Sequence, residues 1–564
     1  MKKLLFITLL SIMTGECFSQ DQTLDWFTYF GGPSQEERFN DLTFGLSGDL
    51  FIAGRVESDE LLFDAAIHQD FYAGDVDVFL ARFSVDGQLI WTTYFGGAET
   101  DLFDSMCALP DGRIVIAGAT TSDEGIVFDD AFQEERVGSA DFFLAAFNPD
   151  GTLDWSTYWG GMNAEQGLVI TCDTEGSILI AGRTDSQDLA TPGAFDESFD
   201  PFIGTNPIVA KFSNTGELLW CTYLNADIFG FEESIATDGM GNIYYAINTP
   251  TDEGLATEGA YQTAGVGNSA LLVKFSPEGE RLWSTYVTGE GDESNSLVEA
   301  DSEGNVYLSA RTSSETGIAT EGAFQMENIP PQVFPVGSSA MIMKFNPDGE
   351  RIWGTYFGGL YSKDITSIKS VDSGILFSYR NQFNEDQIFG NSPFQSDIMG
   401  SSDVFVTKFT EGGDIVWSTA FGGNSFDYDD AFAVRGDMFA LSGGTSSSEF
   451  YQNEDSWQPE LNGTSDLYLA LFTDNVLSAN TIEKDSPQLS VYPNPSSAGN
   501  IRLDWELENV DLVDLVIFDQ LGRVIESITG YPKNSDLALS LPSGMYFLTF
   551  QAEESMYSKK LIID

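Results

Sequence analysis

Near-copies of one heptapeptide divide the chain at an almost constant interval. WTTYFGG begins at Trp91, and related strings are WFTYFGG at Trp26, WSTYWGG at Trp155, WCTYLNA at Trp220, WSTYVTG at Trp283, WGTYFGG at Trp353 and WSTAFGG at Trp417. Successive tryptophans stand 63 to 70 residues apart. A long fixed period marks a repeat architecture, in which one supersecondary unit cannot bury its own apolar face and must stack on its neighbours. It overrides the expectation of several independent domains that 564 residues, 42% of them hydrophobic, would otherwise raise.

Within a unit, DLTFG and DLFIAG are short β-forming runs joined by the turn LSG, and VFLARF and LIWTTYF are two more joined by SVDG. A glycine recurs in all six turns between the second pair, preceded by Asp in three of them, as a left-handed turn position requires. Each unit thus supplies four antiparallel strands, A to D, and no segment has a helical period. Strand C recurs at Asp77, Asp141, Asn206, Ser269, Ser339, Asp403 and Asp466. The chain opens on a lone D strand around Trp26, and its last unit stops at a C strand near Phe472. The expected fold is all-β: a seven-bladed β-propeller over residues 20–473, with the N-terminal strand completing the last blade so that no sheet edge is left free.

The heptapeptide, GNVYLSA at Gly304, TEGAFQ at Thr320 and KFNPDGERIW at Lys344 together resemble the bacterial beta-propeller repeat (SBBP) family over about residues 24–473. That resemblance implies a propeller on an exported protein and no single activity.

The long B to C connection carries its own mark: DAAIHQ at Asp64, DAFQ at Asp130, GAFD at Gly193, GAYQ at Gly259, GAFQ at Gly322, SPFQ at Ser392 and DSWQ at Asp455. His68, the only histidine, fills the slot before the shared glutamine, so it reads as a structural rim residue rather than a general base. A nucleophile–histidine pair and a His-based zinc site are excluded with it.

The B to C and D to A connections share one face of such a ring, where loops on a rigid scaffold carry recognition. The D to A connections are acidic: Glu36, Asp41, Asp101, Asp104, Glu165, Glu232, Glu233, Asp292, Asp364, Asp427 and Asp430. Of these, Asp41, Asp104, Glu233, Asp364 and Asp430 could form a carboxylate collar at the channel mouth, fit for a hard cation such as calcium or for a cationic or polyhydroxylated ligand. The alternative is solvated carboxylates and turn caps in a chain that carries 88 acids. An insertion, MENIPPQVFPVG from Met326, should project from the same face.

A net charge of −63 repels phosphate backbones and anionic headgroups, which excludes nucleic acid as a partner. Lys2 and Lys3 precede an apolar run from Leu4 to Met13, too short to span a bilayer and suited to a signal peptide over residues 1–19. Cys17 follows Glu16, where a lipidation motif wants a small residue, and no later segment is a transmembrane candidate. Cys107, Cys172 and Cys221 have no metal-ligand spacing and read as small buried apolar residues rather than a disulfide framework.

After a polar linker at 474–487, residues 488–564 form alternating apolar runs around Pro-Asn-Pro, Gln-Leu-Gly-Arg and Pro-Ser-Gly turns, as expected of a small immunoglobulin-like β-sandwich. YPNP (Tyr492, Pro493, Asn494, Pro495), FDQLGRVI with Gly522, LPSGMYFL with Gly544 and the terminal KKLIID with Lys559 and Lys560 resemble the type A sorting domain of the type IX secretion system of Bacteroidota. The resemblance implies periplasmic delivery, recognition by the outer-membrane secretion machinery, and release or attachment at the cell surface. Two functions then compete: a secreted or cell-surface binding or scaffold module with a glycan or protein ligand on the long-loop face, and a carboxylate-dependent polysaccharide hydrolase or lyase. The units are too alike to single out a catalytic residue, and no cofactor other than calcium is implied.

Overall fold

The computed structural model describes residues 22–475 apart from 33–37, 58–66, 129–130, 231–232, 330–338, 359–363, 382–392 and 452–455, together with seven strands between Leu489 and Ile563 and residues 539 and 541. The signal segment with Cys17, residues 476–487 of the linker, Glu36, Glu232, Pro493, Asn494, Pro495, Gly522 and most of the Met326 insertion lie outside the described residues. Among the described residues there are strands and turns and no helix.

Seven four-stranded antiparallel sheets make the ring. Blade 1 takes strands A to D from Arg38–Phe44, Leu50–Val56, Asp77–Phe83 and Leu89–Phe95. Blades 2 to 6 repeat that order, with A strands at Asp101–Ala108, Glu165–Cys172, Ser234–Thr237, Glu293–Ala300 and Ile365–Val371. Blade 7 contributes Ala431–Arg435, Met438–Thr445 and Asp466–Asp474, and the strand Gln22–Phe30 pairs antiparallel with the last of these. Each A strand contacts the A strands of both neighbouring blades, so these strands surround the axis. Strand C of blades 2 to 5 is buried at every residue, because neighbouring sheets cover both of its faces.

The heptapeptide is the device that joins one blade to the next. Its tryptophan sends the indole N–H to the C–D turn of the following blade: Trp91 to the Pro149 carbonyl at 3.1 Å, Trp155 to Asn214 at 3.0 Å, Trp283 to Pro347 at 3.0 Å. The turn glycine must lie against the indole for this bond to form. At Gly216, φ is 81° and a Cβ would stand 2.7 Å from the Trp155 ring, so both the backbone region and the space demand glycine. Blade 7 has no C–D turn, and there the Asp474 carboxylate takes over, accepting from Trp417 at 3.2 Å and pairing with Lys408 at 2.6 Å. The second threonine of the heptapeptide accepts the backbone N–H of the residue in the shared glutamine slot, as Thr157 does from Gln133 and Thr285 from Gln262, both at 2.9 Å. Its tyrosine is buried where present, and the hydroxyls of Tyr29, Tyr158 and Tyr223 donate to the carbonyls of Ser447, Ser122 and Ser186 just after strand B, at 2.7 to 2.9 Å.

The aromatic slot ahead of that glutamine plugs each seam. Phe132 packs on Phe212, Phe195 on Phe275, Tyr261 on Phe345, Phe394 on Phe472 and Trp457 on Phe83, with ring centroids 5.3 to 6.1 Å apart. In blade 1 the slot holds His68, whose ring lies 5.7 Å from Phe147 and 5.2 Å from Phe128. The histidine is an aromatic plug; burial lowers its pKa, and its Nε2 has no hydrogen-bond partner.

The reading of three separate buried thiols is corrected. Cys107 and Cys172 form a disulfide between the A strands of blades 2 and 3, with Cα atoms 5.8 Å apart. They are 65 residues apart, one repeat period, so they occupy equivalent places on adjacent inner strands, which the ring brings together. Cys221 is the free, buried cysteine, and burial raises its pKa.

In the C-terminal region, strands Leu489–Tyr492, Asn500–Trp505 and Ser535–Ala538 form one sheet, and Val524–Pro532, Leu512–Asp519, Gly544–Ala552 and Ser555–Ile563 another. Ile501, Leu503, Ile517, Tyr546 and Leu548 from both sheets share one apolar cluster. Tyr492 ends the first strand, Gly544 opens its own, and Lys559 and Lys560 lie within the last.

Candidate functional site

The acids of the long-loop face divide into two groups according to what they hold. The first ties the corners. Asp101 accepts the Gly97 N–H at 2.6 Å and hydroxyls from Thr120 and Ser122, the latter at 3.0 Å. Asp427 repeats this with Gly423, Thr445 and Ser447, and Glu165 and Glu293 do so with longer side chains. The acid at the head of strand C does similar work, since Asp141 accepts from Gln133 and from the Val137 backbone, each at 2.9 Å. Burial raises the corner acids Asp101, Asp427, Glu165 and Glu293, Glu165 to about 7, and raises the strand-C acids Asp77 and Asp403 to about 6.

The second group contains the five proposed collar residues, and the structure sends most of them to the neighbouring blade. Asp104 lies in a bulge of strand A, which turns it back to Arg55 of blade 1 at 2.7 Å. Glu233 pairs with Arg183 of blade 3 at 2.5 Å and accepts the Tyr245 hydroxyl at 2.7 Å. Asp364, with 42% of its side chain exposed, stands 3.7 Å from Arg311 of blade 5. Arg55, Arg183 and Arg311 recur at a spacing of 128 residues, two periods, so cation and acid face each other at alternate seams. Burial pushes the Asp104 and Glu233 carboxyls up while the adjacent guanidinium pulls them down.

Asp41 and Asp430 are the other two. Asp41 accepts the Met106 N–H at 3.1 Å from the next blade; burial raises it, and the charge of Lys369 opposes that rise and does the same for buried Glu299. Asp430 accepts from the Asn40 amide at 2.9 Å and is raised to about 7 by burial and by neighbouring Asp429. Asp429 in turn accepts the Thr366 hydroxyl at 2.5 Å. The five acids are therefore spread over four seams, Asp41 and Asp104 sharing that of blades 1 and 2, and among the described residues no group of three or more His, Cys, Asp or Glu is gathered to hold a metal ion. The strand-B arginines and the Thr-x-Ser runs after strand B are the partners that sequence reading missed; their own periodicity was the available signal.

A second concave feature recurs on the outside of the ring. Where the heptapeptide tryptophan meets the next blade's C–D turn, a cleft opens at the seam of blades 3 and 4 (about 700 Å³), of blades 7 and 1 (about 690 Å³) and of blades 4 and 5 (about 320 Å³).

Comparison with known proteins separates the tail from the ring. Residues 490–564 match the family described as secretion system C-terminal sorting domain. An uncharacterized WD repeat-containing protein of Acanthamoeba polyphaga mimivirus is 22% identical over 418 residues, 61% of this chain and 29% of that protein. Regulatory protein FlaEY of Caulobacter vibrioides is 20% identical over 368 residues, 64% of this chain and 34% of that protein. The chain thus spans about a third of the length of the curated relatives it matches. Among solved structures, a Dyadobacter fermentans protein of unknown function covers 80% of this chain and 99% of its own at 12% identity and a TM-score of 0.38. An ulvan polysaccharide lyase covers 80% and 96% at 12% identity and a TM-score of 0.42.

Proposed function

We propose that this chain is an exported β-propeller acting as a binding or scaffold protein outside the cell or on its surface, delivered by a type IX secretion machinery that reads the C-terminal region. The match of residues 490–564 to a secretion sorting family carries this reading. In it, residues 1–19 are a signal peptide, 20–473 an SBBP-type propeller whose N-terminal strand closes the last blade, 474–487 a linker and 488–564 an immunoglobulin-like sorting sandwich. Tyr492, Pro493, Asn494, Pro495, Gly522, Gly544, Lys559 and Lys560 are the positions the machinery would read. The pairing of Gln22–Phe30 with Asp466–Asp474 supports the closure, because it gives the seventh sheet its fourth strand. The test is mass spectrometry of protein recovered from the medium or surface of the producing cell. A new N-terminus near Gln20 and loss of the segment after about residue 485 are expected; an exported form with its C-terminus intact overturns the sorting reading.

One cluster favours a second reading, a polysaccharide hydrolase or lyase. Asp429 is buried and Asp430, exposed beside it, stands just ahead of the blade 7 A strand; Asp430 is raised to about 7 by desolvation and by the Asp429 charge, the condition of a carboxyl that can donate a proton near neutrality. Release of reducing or unsaturated sugar ends by the wild type and not by Asp430→Asn would move the assignment to that class.

A further inference from the structure

We infer that the outer seam clefts are repeated binding sites for a neutral glycan, an inference that rests on the binding reading above and gives it a ligand class and a location. The three clefts share one construction. The floor is the D-strand tryptophan of one blade, Trp26, Trp220 or Trp283, and one wall is the C–D turn of the next. Each indole N–H is already donated to that turn, at 3.0 to 3.1 Å, so the half-buried rings of Trp220 and Trp283 offer a ligand apolar surface and no hydrogen bond, while Trp26, 6% exposed, closes the base of its cleft. The turn glycine has no side chain to fill the cleft, and none can be added there without striking the indole.

The remaining lining supplies what the floor lacks. The residue just ahead of the turn glycine is an exposed acid in all three clefts, Asp86, Glu278 and Asp348. In the cleft of blades 3 and 4, Leu219 is 52% exposed beside the tryptophan and widens the apolar floor. An apolar floor beside an exposed carboxylate acceptor fits a pyranose, whose C–H face is apolar and whose hydroxyls donate outward. Lys211 and Arg351 line two of the clefts but are already engaged, Lys211 by Asp173 at 3.0 Å and Arg351 by the Gly317 and Ile318 carbonyls at 3.2 Å. A uronate or sulfate would therefore meet the local acid and the −63 of the whole chain, which disfavours acidic glycans. Sites repeated around one rigid ring act together on a polymer, with avidity on the order of 10²–10⁴ over a single site. This places recognition on the outer wall, near the short-hairpin side, rather than at the channel mouth.

The test is affinity electrophoresis of the exported protein through native gels containing galactomannan, xyloglucan or mixed-linkage β-glucan, with alginate as the acidic control. Retardation by at least one neutral polymer and none by alginate is expected. The exposed-acid variants Asp86→Asn, Glu278→Gln and Asp348→Asn keep the turns intact; each alone should weaken retardation two- to threefold, and the triple variant at least tenfold, with an unchanged thermal midpoint. Retardation that survives in the triple variant overturns the seam clefts but leaves a binding protein. Absence of retardation by every neutral polymer, or retardation by alginate alone, overturns the glycan class, while export and processing are judged separately by the mass spectrometry above.

Discussion

Removing the disulfide between blades 2 and 3 should cost the ring about 4 kcal/mol. Cys107 and Cys172 enclose a loop with a sequence separation of 65, and cross-linking a loop of that length lowers the entropy of the unfolded chain by roughly 14 cal/mol/K, or about 4 kcal/mol at 25 °C. For a ring of roughly 450 residues the unfolding entropy is about 0.9 kcal/mol/K, so the melting midpoint should fall by about 4–5 °C. The measurement is thermal and urea unfolding of wild type, wild type in reductant, and Cys107→Ala/Cys172→Ala. Reduced wild type and the double variant should fall together, because loss of the cross-link is common to both. Alkylation of the denatured, unreduced mature protein should label Cys221 alone. Three labelled cysteines, or midpoints that coincide with and without reductant, would refute the pairing and the loop-entropy argument with it.

Four further outcomes follow from the geometry. Asp77, Asp403, Glu165 and Asp430 are raised by burial to about 6 or 7, so between about pH 4 and pH 7 the native state holds protons the unfolded state has released. Stability should therefore fall as pH rises through that window, and a midpoint at pH 8 that matches or exceeds that at pH 5.5, at equal ionic strength, contradicts it. Gly216→Ala should destabilise by about 2–3 kcal/mol through its left-handed φ and the Trp155 contact, whereas Gly254→Ala, with φ 92° and open space around it, should cost only about 1 kcal/mol; equal losses in urea melts would remove the indole from the account. His68→Phe should leave the fold intact and raise the midpoint slightly, since it replaces a buried imidazole lacking an Nε2 partner with the ring type that fills this slot elsewhere; a large loss would mean the imidazole is needed. Calcium should move the midpoint no further than magnesium at the same ionic strength, because the collar acids answer to arginines and amides and are spread over four seams.

The blade count and strand order were legible because the heptapeptide and the glycine turns recur in register, and a propeller uses each repeat in the same way. His68 was legible for the same reason: its slot is aromatic in the other units. Partnerships that cross a seam were harder to read, since they join residues about one or two periods apart. Cys107 and Cys172 differ by one repeat, yet a search for closely spaced cysteines passes over that interval. Asp104 and Glu233 were read as members of a carboxylate collar or else as solvated acids and turn caps, and nothing local to either names Arg55 or Arg183 as its partner. The outer clefts belong to no single unit, as tryptophan and turn meet only after two blades have packed.

Asp474 stands where the seventh C–D hairpin would be, and the strand beyond it comes from the other end of the chain, with Gln22 opposite Asp474. Bringing those ends together costs about 3 kcal/mol more loop entropy than a ten-residue connection would. It also fixes an order of events: while the polypeptide is still emerging, an arc of finished sheets keeps an unpaired rim at each end until the last repeat arrives. During that interval the dense negative charge has a task unrelated to any ligand, holding unfinished arcs of different molecules apart.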